Sequence, residues 1–186
     1  MPAIPSVMNA LGTLAPDFSL PNVVTQAAVN RDSLMTGKKA LLVMFICRHC
    51  PYVVHVQDEL AALGRDYEES DLAIVAISAN DAANYPDDAP DKLAEMVQQQ
   101  DFRFPLLYDE TQSVARAYDA ACTPDFFLYD AGLKLVYRGQ LDDSRPGSDR
   151  PVTGQDLRAA IEAVLAGQPV SSDQKPSLGC SIKWKA

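Results

Sequence analysis

Basic residues are in short supply in this 186-residue chain: 16 Lys and Arg face 25 Asp and Glu, for a net charge of −9. No basic run offers a phosphate-binding face, which argues against nucleic acid and anionic membrane surfaces as partners. Long apolar runs are missing as well, since no stretch reaches the ~18 residues of a membrane span. Histidine is limited to His49 and His55. Beyond Cys47 and Cys50, the remaining Cys122, Cys180 and His55 show no CxxC or HxxxH spacing. A zinc site usually needs such a second ligand pair, so neither a metal nor any other cofactor is expected. Met1–Pro5 lacks the basic and apolar regions of a secretory signal, and the expected location is cytoplasmic. In a reducing cytosol, four cysteines are more often catalytic than structural staples.

What is present reads as one ordinary globular domain over residues 1–186, with 47% hydrophobic and 22% charged residues. The expected core runs from about 14 to 167, followed by an irregular tail over 168–186. Ala40–Ile46 and Leu72–Ser78 are continuous apolar runs of the kind found in buried parallel strands. Between them Val53, Val56, Leu60 and Leu63 recur at helical spacing. Asp81–Asp91 reads as a loop, with Asp88 or Asp91 available to cap a helix to about Gln100. Phe104–Tyr108 predicts a short strand and Thr111–Tyr118 a short helix. Phe126–Tyr129 and Leu133–Tyr137 flank Asp130-Ala131-Gly132 as a hairpin, with Gly132 at the tight turn. Arg138–Pro151 is a polar loop, in which Asp142–Arg145 reads as solvated and self-paired. Thr153 and Asp156 resemble a capping box for a last helix carrying Leu157, Ile161, Val164 and Leu165. Parallel strands with crossover helices, closed by a hairpin and a final helix, give a three-layer α/β sandwich.

Cys47-Arg48-His49-Cys50, straight after a buried strand and opening a helix, is the arrangement of a thiol–disulfide centre. A helix N-terminus offers unpaired N–H groups and partial positive charge, which favour a thiolate. Arg48 and His49 add cationic or polarisable neighbours. The first sulfur of such a pair is expected to be more exposed and nearer the helix start. Cys47 is therefore read as the attacking thiolate and Cys50 as the resolving thiol. His55, one turn into the helix, reads as a polar-face residue. Cys180, in the tail, and Cys122 are possible additional redox residues, with burial as a small hydrophobe the competing role for Cys122.

With these elements placed, the chain resembles the thioredoxin superfamily, and within it the peroxiredoxin-like branch related to alkyl hydroperoxide reductases. The resemblance rests on Ala15-Pro16-Asp17-Phe18-Ser19-Leu20, on the FxCxHCPYV block Phe45–Val53, on Cys122-Thr123-Pro124-Asp125-Phe126, and on the ending Pro176–Lys185. It implies a thioredoxin-like three-layer sandwich: a mixed central sheet, helices on both faces, and a peroxiredoxin- or TlpA-like insertion. It further implies that Thr123–Pro124 is a cis-proline loop facing the cysteines, whose backbone pairs with a bound substrate polypeptide.

Departures from these relatives rank the chemistry. Against the peroxidatic pattern PxxxTxxC ending at Cys50, Cys47 stands at the Thr position and Val43 at the Pro position. Ala40–Ile46 also lacks the buried acid that thioredoxin uses as a proton shuttle, so proton traffic must pass through water, His49 or a residue from elsewhere. The leading expectation is a cytosolic thiol–disulfide oxidoreductase working through a mixed disulfide at Cys47/Cys50. It would act on protein or small-molecule disulfides with a dithiol electron donor, and its oligomeric state stays open. A peroxiredoxin-like thiol peroxidase is the alternative, and a copper- or zinc-binding carrier ranks last.

Overall fold

The computed structural model describes residues 2–186. In chain order it contains β1 (Ala3–Pro5), β2 (Ser19–Pro21), β3 (Ala28–Asn30), α1 (Arg31–Met35), β4 (Ala40–Phe45) and α2 (Pro51–Asp66). Next come β5 (Leu72–Ser78), a one-turn 3-10 helix (Pro86–Asp88), α3 (Pro90–Gln100), β6 (Leu106–Tyr108) and α4 (Ser113–Ala117). The chain ends with β7 (Cys122–Thr123), β8 (Asp125–Tyr129), β9 (Leu135–Gly139), α5 (Gln155–Leu165) and β10 (Leu178–Ser181).

The apolar run of β4 is the middle strand of a five-stranded sheet, ordered β6-β5-β4-β8-β9, and is buried at every position. It pairs in parallel with β5 and antiparallel with β8, so the sheet is mixed. Alternating side chains divide the core between the two faces. Leu42, Met44, Ile74 and Ala76 pack with α2, α3 and α5 through Val53, Val56, Leu60, Leu63, Leu93, Met96, Leu157 and Ile161. Leu41, Val43, Phe45, Val75 and Ile77 pack on the other side with Phe18, Tyr118 and the Val114 and Ala115 of α4. This is the three-layer arrangement that the strand–helix alternation predicts. Each fully buried Val, Leu or Ile contributes roughly 1.5–3 kcal/mol, so the inward stripe of α2 alone fixes that helix firmly against the sheet.

Several local expectations are corrected. The hairpin turn does contain Gly132, as expected, but its left-handed residue is Leu133, with φ of 60°, and Asp130 Oδ1 accepts from the N–H groups of Gly132 and Lys134. Thr153 and Asp156 do not form a capping box. Gly154 is the N-cap of α5, and the buried carboxylate of Asp142 accepts from Thr153 N and Gly154 N, both at 2.7 Å. Asp142 is therefore a structural acceptor and not a solvated loop residue. Neither Asp88 nor Asp91 caps α3, whose N-cap is Ala89. The tail is not irregular throughout: β10 lies between β1 and β7 in a second, three-stranded sheet.

Candidate active site

The short link after β4 decides which sulfur meets the helix. The sheet strand ends at Phe45, and α2 begins at Pro51, tolerated at the first helical position because that N–H has no intrahelical partner. Cys50 is thus the N-cap of α2, with φ −71° and ψ 123°. Cys47 sits one link earlier, in the loop. This corrects the expectation that the first cysteine is nearer the helix start. Nor is Cys47 exposed: Cys47, Cys50, Cys122 and Cys180 are all buried free thiols, at 1%, 0%, 0% and 3% accessibility.

The Thr123–Pro124 peptide bond is cis, and Thr123 faces both active sulfurs. Its hydroxyl lies 3.3 Å from Cys47 Sγ, and its carbonyl accepts from the Cys50 thiol at 3.2 Å. The edge of this loop is already occupied. Residues of β10 pair antiparallel with β7, Cys180 opposite Thr123 and Ser181 opposite Cys122. The free edge that a substrate polypeptide would need is therefore filled by the chain's own tail. Gly179 makes the close approach possible, since a Cβ there would sit 2.0 Å from the Thr123 carbonyl oxygen. Ser177 Oγ donates to Pro124 O at 2.7 Å, Ile182 N to Ala121 O, and Lys183 N to Asn80 Oδ1, which anchors the tail on both sides of Cys180.

Electrostatics separates the two sulfurs. The Cys50 thiol is pulled well below its ordinary range, first by the hydrogen bond its thiolate accepts from Cys47, then by Cys180 and the Thr123 side chain, against the cost of burial. Cys47 is pushed well up, because it serves as that donor, is buried, and faces the Asp88 carboxylate. Cys180 is also raised, chiefly by burial and then by donating to Cys50. Ionisation of Cys50 trades its bond to the Thr123 carbonyl for these three donors. A single thiolate, on Cys50, is what the site stabilises.

Asp88 is the residue that sequence reasoning missed. Fully buried, it accepts from Arg48 N at 2.7 Å, His49 N at 3.3 Å, His49 Nδ1 at 2.5 Å and Asn80 Nδ2 at 2.8 Å. Its carboxylate thereby fixes the loop between the cysteines. Nothing in the acid-rich run Asp81–Asp91 singles it out; the available signal was the lack of an ionisable residue in β4. Cys47, His49 and Asp88 each bring one potential ligand atom within 4.8 Å of the others. The His49–Asp88 contact is a hydrogen bond, at 2.5 Å. Within the set only His49 and Asp88 share a hydrogen bond, while Cys47 Sγ meets the Thr123 hydroxyl.

The other expected residues take supporting places. Arg48 turns its guanidinium away to Glu95, at 3.5 Å. His55 Nε2 meets Ser144 Oγ at 2.7 Å and serves the loop after β9. The Cys122 thiol donates to Pro124 O at 3.7 Å, and burial pushes it far up. Behind the cis-proline, Asp125 and Arg138 form a fully buried bidentate ion pair, with Arg138 lying over the Phe127 ring at 3.7 Å. Asp125 also accepts from Ala121 N at 3.2 Å, tying the pair to the loop that carries Thr123.

Comparison with known proteins follows the same lines. The pattern of the AhpC/TSA family matches residues 11–138. An uncharacterized conserved protein from Geobacillus kaustophilus is similar at 53% identity, covering 100% of this chain and 97% of its own, with a TM-score of 0.97. A hypothetical protein from Sinorhizobium meliloti 1021 shows 47% identity over 98% of both chains and a TM-score of 0.95. The thioredoxin domain of a thiol-disulfide oxidoreductase from Bacteroides vulgatus shares the fold at 17% identity, over 71% of this chain and 91% of that one, with a TM-score of 0.57. No curated protein sequence matches the chain significantly.

Proposed function

The chain belongs to the AhpC/TSA family on a thioredoxin-like fold, and from that premise we propose that it is a thiol–disulfide oxidoreductase whose nucleophile is Cys50. The observation that carries this reading is the position of Cys50 as the N-cap of α2, where Cys47, Cys180 and Thr123 converge to favour its thiolate. The Cys50 thiolate attacks a substrate disulfide, forms a mixed disulfide and expels one substrate thiolate. Cys47 then loses its proton and attacks Cys50 Sγ, closing the Cys47–Cys50 disulfide and releasing the second thiolate. An external dithiol returns both cysteines to thiols. One disulfide is reduced and one dithiol oxidised per cycle, without a bound cofactor. Such a cycle suits the cytoplasm.

The filled edge beside Thr123 and the depth of all three nearby sulfurs favour a small disulfide over an extended polypeptide. In this reading Cys180 is a donor to the Cys50 thiolate and Cys122 is a packing residue. Thiol peroxidase activity is the second reading, favoured by one feature: a buried thiolate at a helix N-cap is open to an oxidant as small as hydrogen peroxide. Turnover with dithiothreitol as donor, on a low-molecular-weight disulfide, insulin and hydrogen peroxide in turn, tests the assignment. The small disulfide should turn over fastest. Faster turnover of peroxide would install the peroxidase reading, and faster turnover of insulin would refute the sealed edge.

A further inference from the structure

In the proposed cycle, Cys47 must surrender its proton at the moment it resolves the mixed disulfide, and burial beside the Asp88 carboxylate opposes that loss. The strand that precedes it offers no base: β4 is Ala-Leu-Leu-Val-Met-Phe. Asp88 and His49 are titratable groups that the fold brings beside Cys47. An imidazole nitrogen of His49, a carboxylate oxygen of Asp88 and Cys47 Sγ all lie within 4.8 Å of one another.

The tautomer follows from the bonding. A carboxylate can only accept, so His49 Nδ1 donates to Asp88 Oδ2, at 2.5 Å. The lone pair is therefore left on Nε2, which is buried and bonds no group in the reduced protein, Cys47 included. Cys47 Sγ meets the Thr123 hydroxyl instead, at 3.3 Å, so the proton passes to the ring only when the sulfur turns from Thr123 toward His49. A buried polar atom without a partner costs roughly 1–3 kcal/mol, and such costs persist where the group serves the chemistry. The ring is held in place by Tyr85, stacked at 5.7 Å and 10°. The charged and titratable groups around it are Asp88, Cys47, Tyr85, Lys183, whose ammonium lies 5.8 Å from the Tyr85 ring, and Arg48, already turned to Glu95.

Resting on the reading of Cys50 as nucleophile, we propose that His49, held in its tautomer and orientation by Asp88, is the general base that deprotonates Cys47 for the resolving step. His49 takes the Cys47 proton, and the imidazolium is stabilised by the Asp88 carboxylate. The Cys47 thiolate then attacks Cys50 Sγ, the Cys47–Cys50 bond forms, and the Cys50–substrate bond breaks. The departing thiolate takes the proton from His49, so the base is regenerated. Asp88 is a positioning residue, with a second duty as acceptor for the loop N–H groups. The nucleophile–base–orienter logic is that of other activated nucleophiles, assembled here from the loop before α2 and the 3-10 helix before α3.

Rapid mixing of the reduced protein with dithiodipyridine, a small chromogenic disulfide, separates the steps. Attack by Cys50 releases the first thiopyridone, and resolution by Cys47 releases the second. His49→Asn keeps a donor toward Asp88 and removes the base; Asp88→Asn keeps the shape and removes the charge. His49→Asn should leave the first phase near the wild-type rate, and in both variants the second phase should slow relative to the first by roughly 100-fold, the scale of one general base. The second phase should also lose the wild-type dependence on a group that must be deprotonated. A second phase at wild-type rate and pH dependence in His49→Asn would overturn the proposal. Where Asp88→Asn loses the first phase through damage to the loop, His49→Asn decides alone. No first phase in the wild type would instead overturn the nucleophile reading itself.

Discussion

Cys180 lies directly opposite Thr123 in an antiparallel pair, so the residue before the cis-proline is bonded to the protein's own C-terminal strand. The pairing seals the edge beside the active sulfurs. A Cβ on Gly179 would approach the Thr123 carbonyl oxygen to 2.0 Å, so Gly179→Val should lift β10. Overpacking of this kind costs roughly 1–3 kcal/mol. That cost is a roughly 5- to 150-fold increase in local opening. Modification of Cys50 by a polymer-linked maleimide should accelerate by that factor. An unchanged rate would mean that β10 does not control access.

The stability of the reduced protein should carry the signature of Cys50. Its folded value is depressed, so its contribution is complete above the unfolded thiol range, near pH 8.5, and is lost as pH falls through the folded value. Cys47 and Cys122 act with the opposite sign: raised in the fold, they favour the folded state at lower pH and oppose it as pH climbs past that range. Denaturant titrations under a reductant should show the advantage of wild type over Cys50→Ser growing between pH 5 and pH 8. A difference that stays constant would contradict a buried thiolate.

The redox potential follows from the same thiolate. Stabilising the reduced form makes the couple more oxidising than thioredoxin, at about −270 mV. The Thr123 hydroxyl, 3.3 Å from Cys47 Sγ, favours both thiolates. Thr123→Val removes a hydrogen bond of about 1 kcal/mol, which for two electrons is a shift of roughly 20 mV toward more negative values. A titration against glutathione measures it. A shift in the opposite direction would remove the hydroxyl from the account.

Arg138 and Asp125 test what holds the proline loop. Both are fully buried, and Arg138→Ala would leave the Asp125 carboxyl buried without its ion partner. The expected loss is about 3–5 kcal/mol in denaturant titrations. Restoring an uncharged pair with Asp125→Asn and Arg138→Met should recover part of that loss. Equal stability of Arg138→Ala and wild type would show that the ion pair contributes nothing.

Much of this architecture was legible in the sequence because local patterns carry it. The apolar runs of β4 and β5 and the Val53-Val56-Leu60-Leu63 stripe of α2 bury what their periodicity says they should. The cis bond at Pro124 was legible through family resemblance and not through spacing. Contacts between distant segments were less visible. Asp88 reads as one acid among several until folding brings it against Arg48 and His49, 40 and 39 positions away. The tail looked irregular because a four-residue strand reading Leu-Gly-Cys-Ser has no clear periodicity; its structure comes from β1 and β7. Which of the two thiols stands nearer the helix start was misread for a similar reason. A loop length of a few residues decides which cysteine caps the helix, and the CxxC pattern does not encode it.

The central claim is that Cys50, and not Cys47, attacks the substrate. In a Cys180→Ser background, so that β10 has no sulfur to resolve an adduct, Cys47→Ser and Cys50→Ser should each be mixed with dithiodipyridine and read by intact-mass and peptide mass spectrometry. The account predicts that Cys47→Ser rapidly releases one thiopyridone and retains a mixed disulfide on Cys50, while Cys50→Ser stays unmodified at Cys47 over the same time. A rapid adduct on Cys47 in the Cys50→Ser protein, with none on Cys50 in the other, would contradict it.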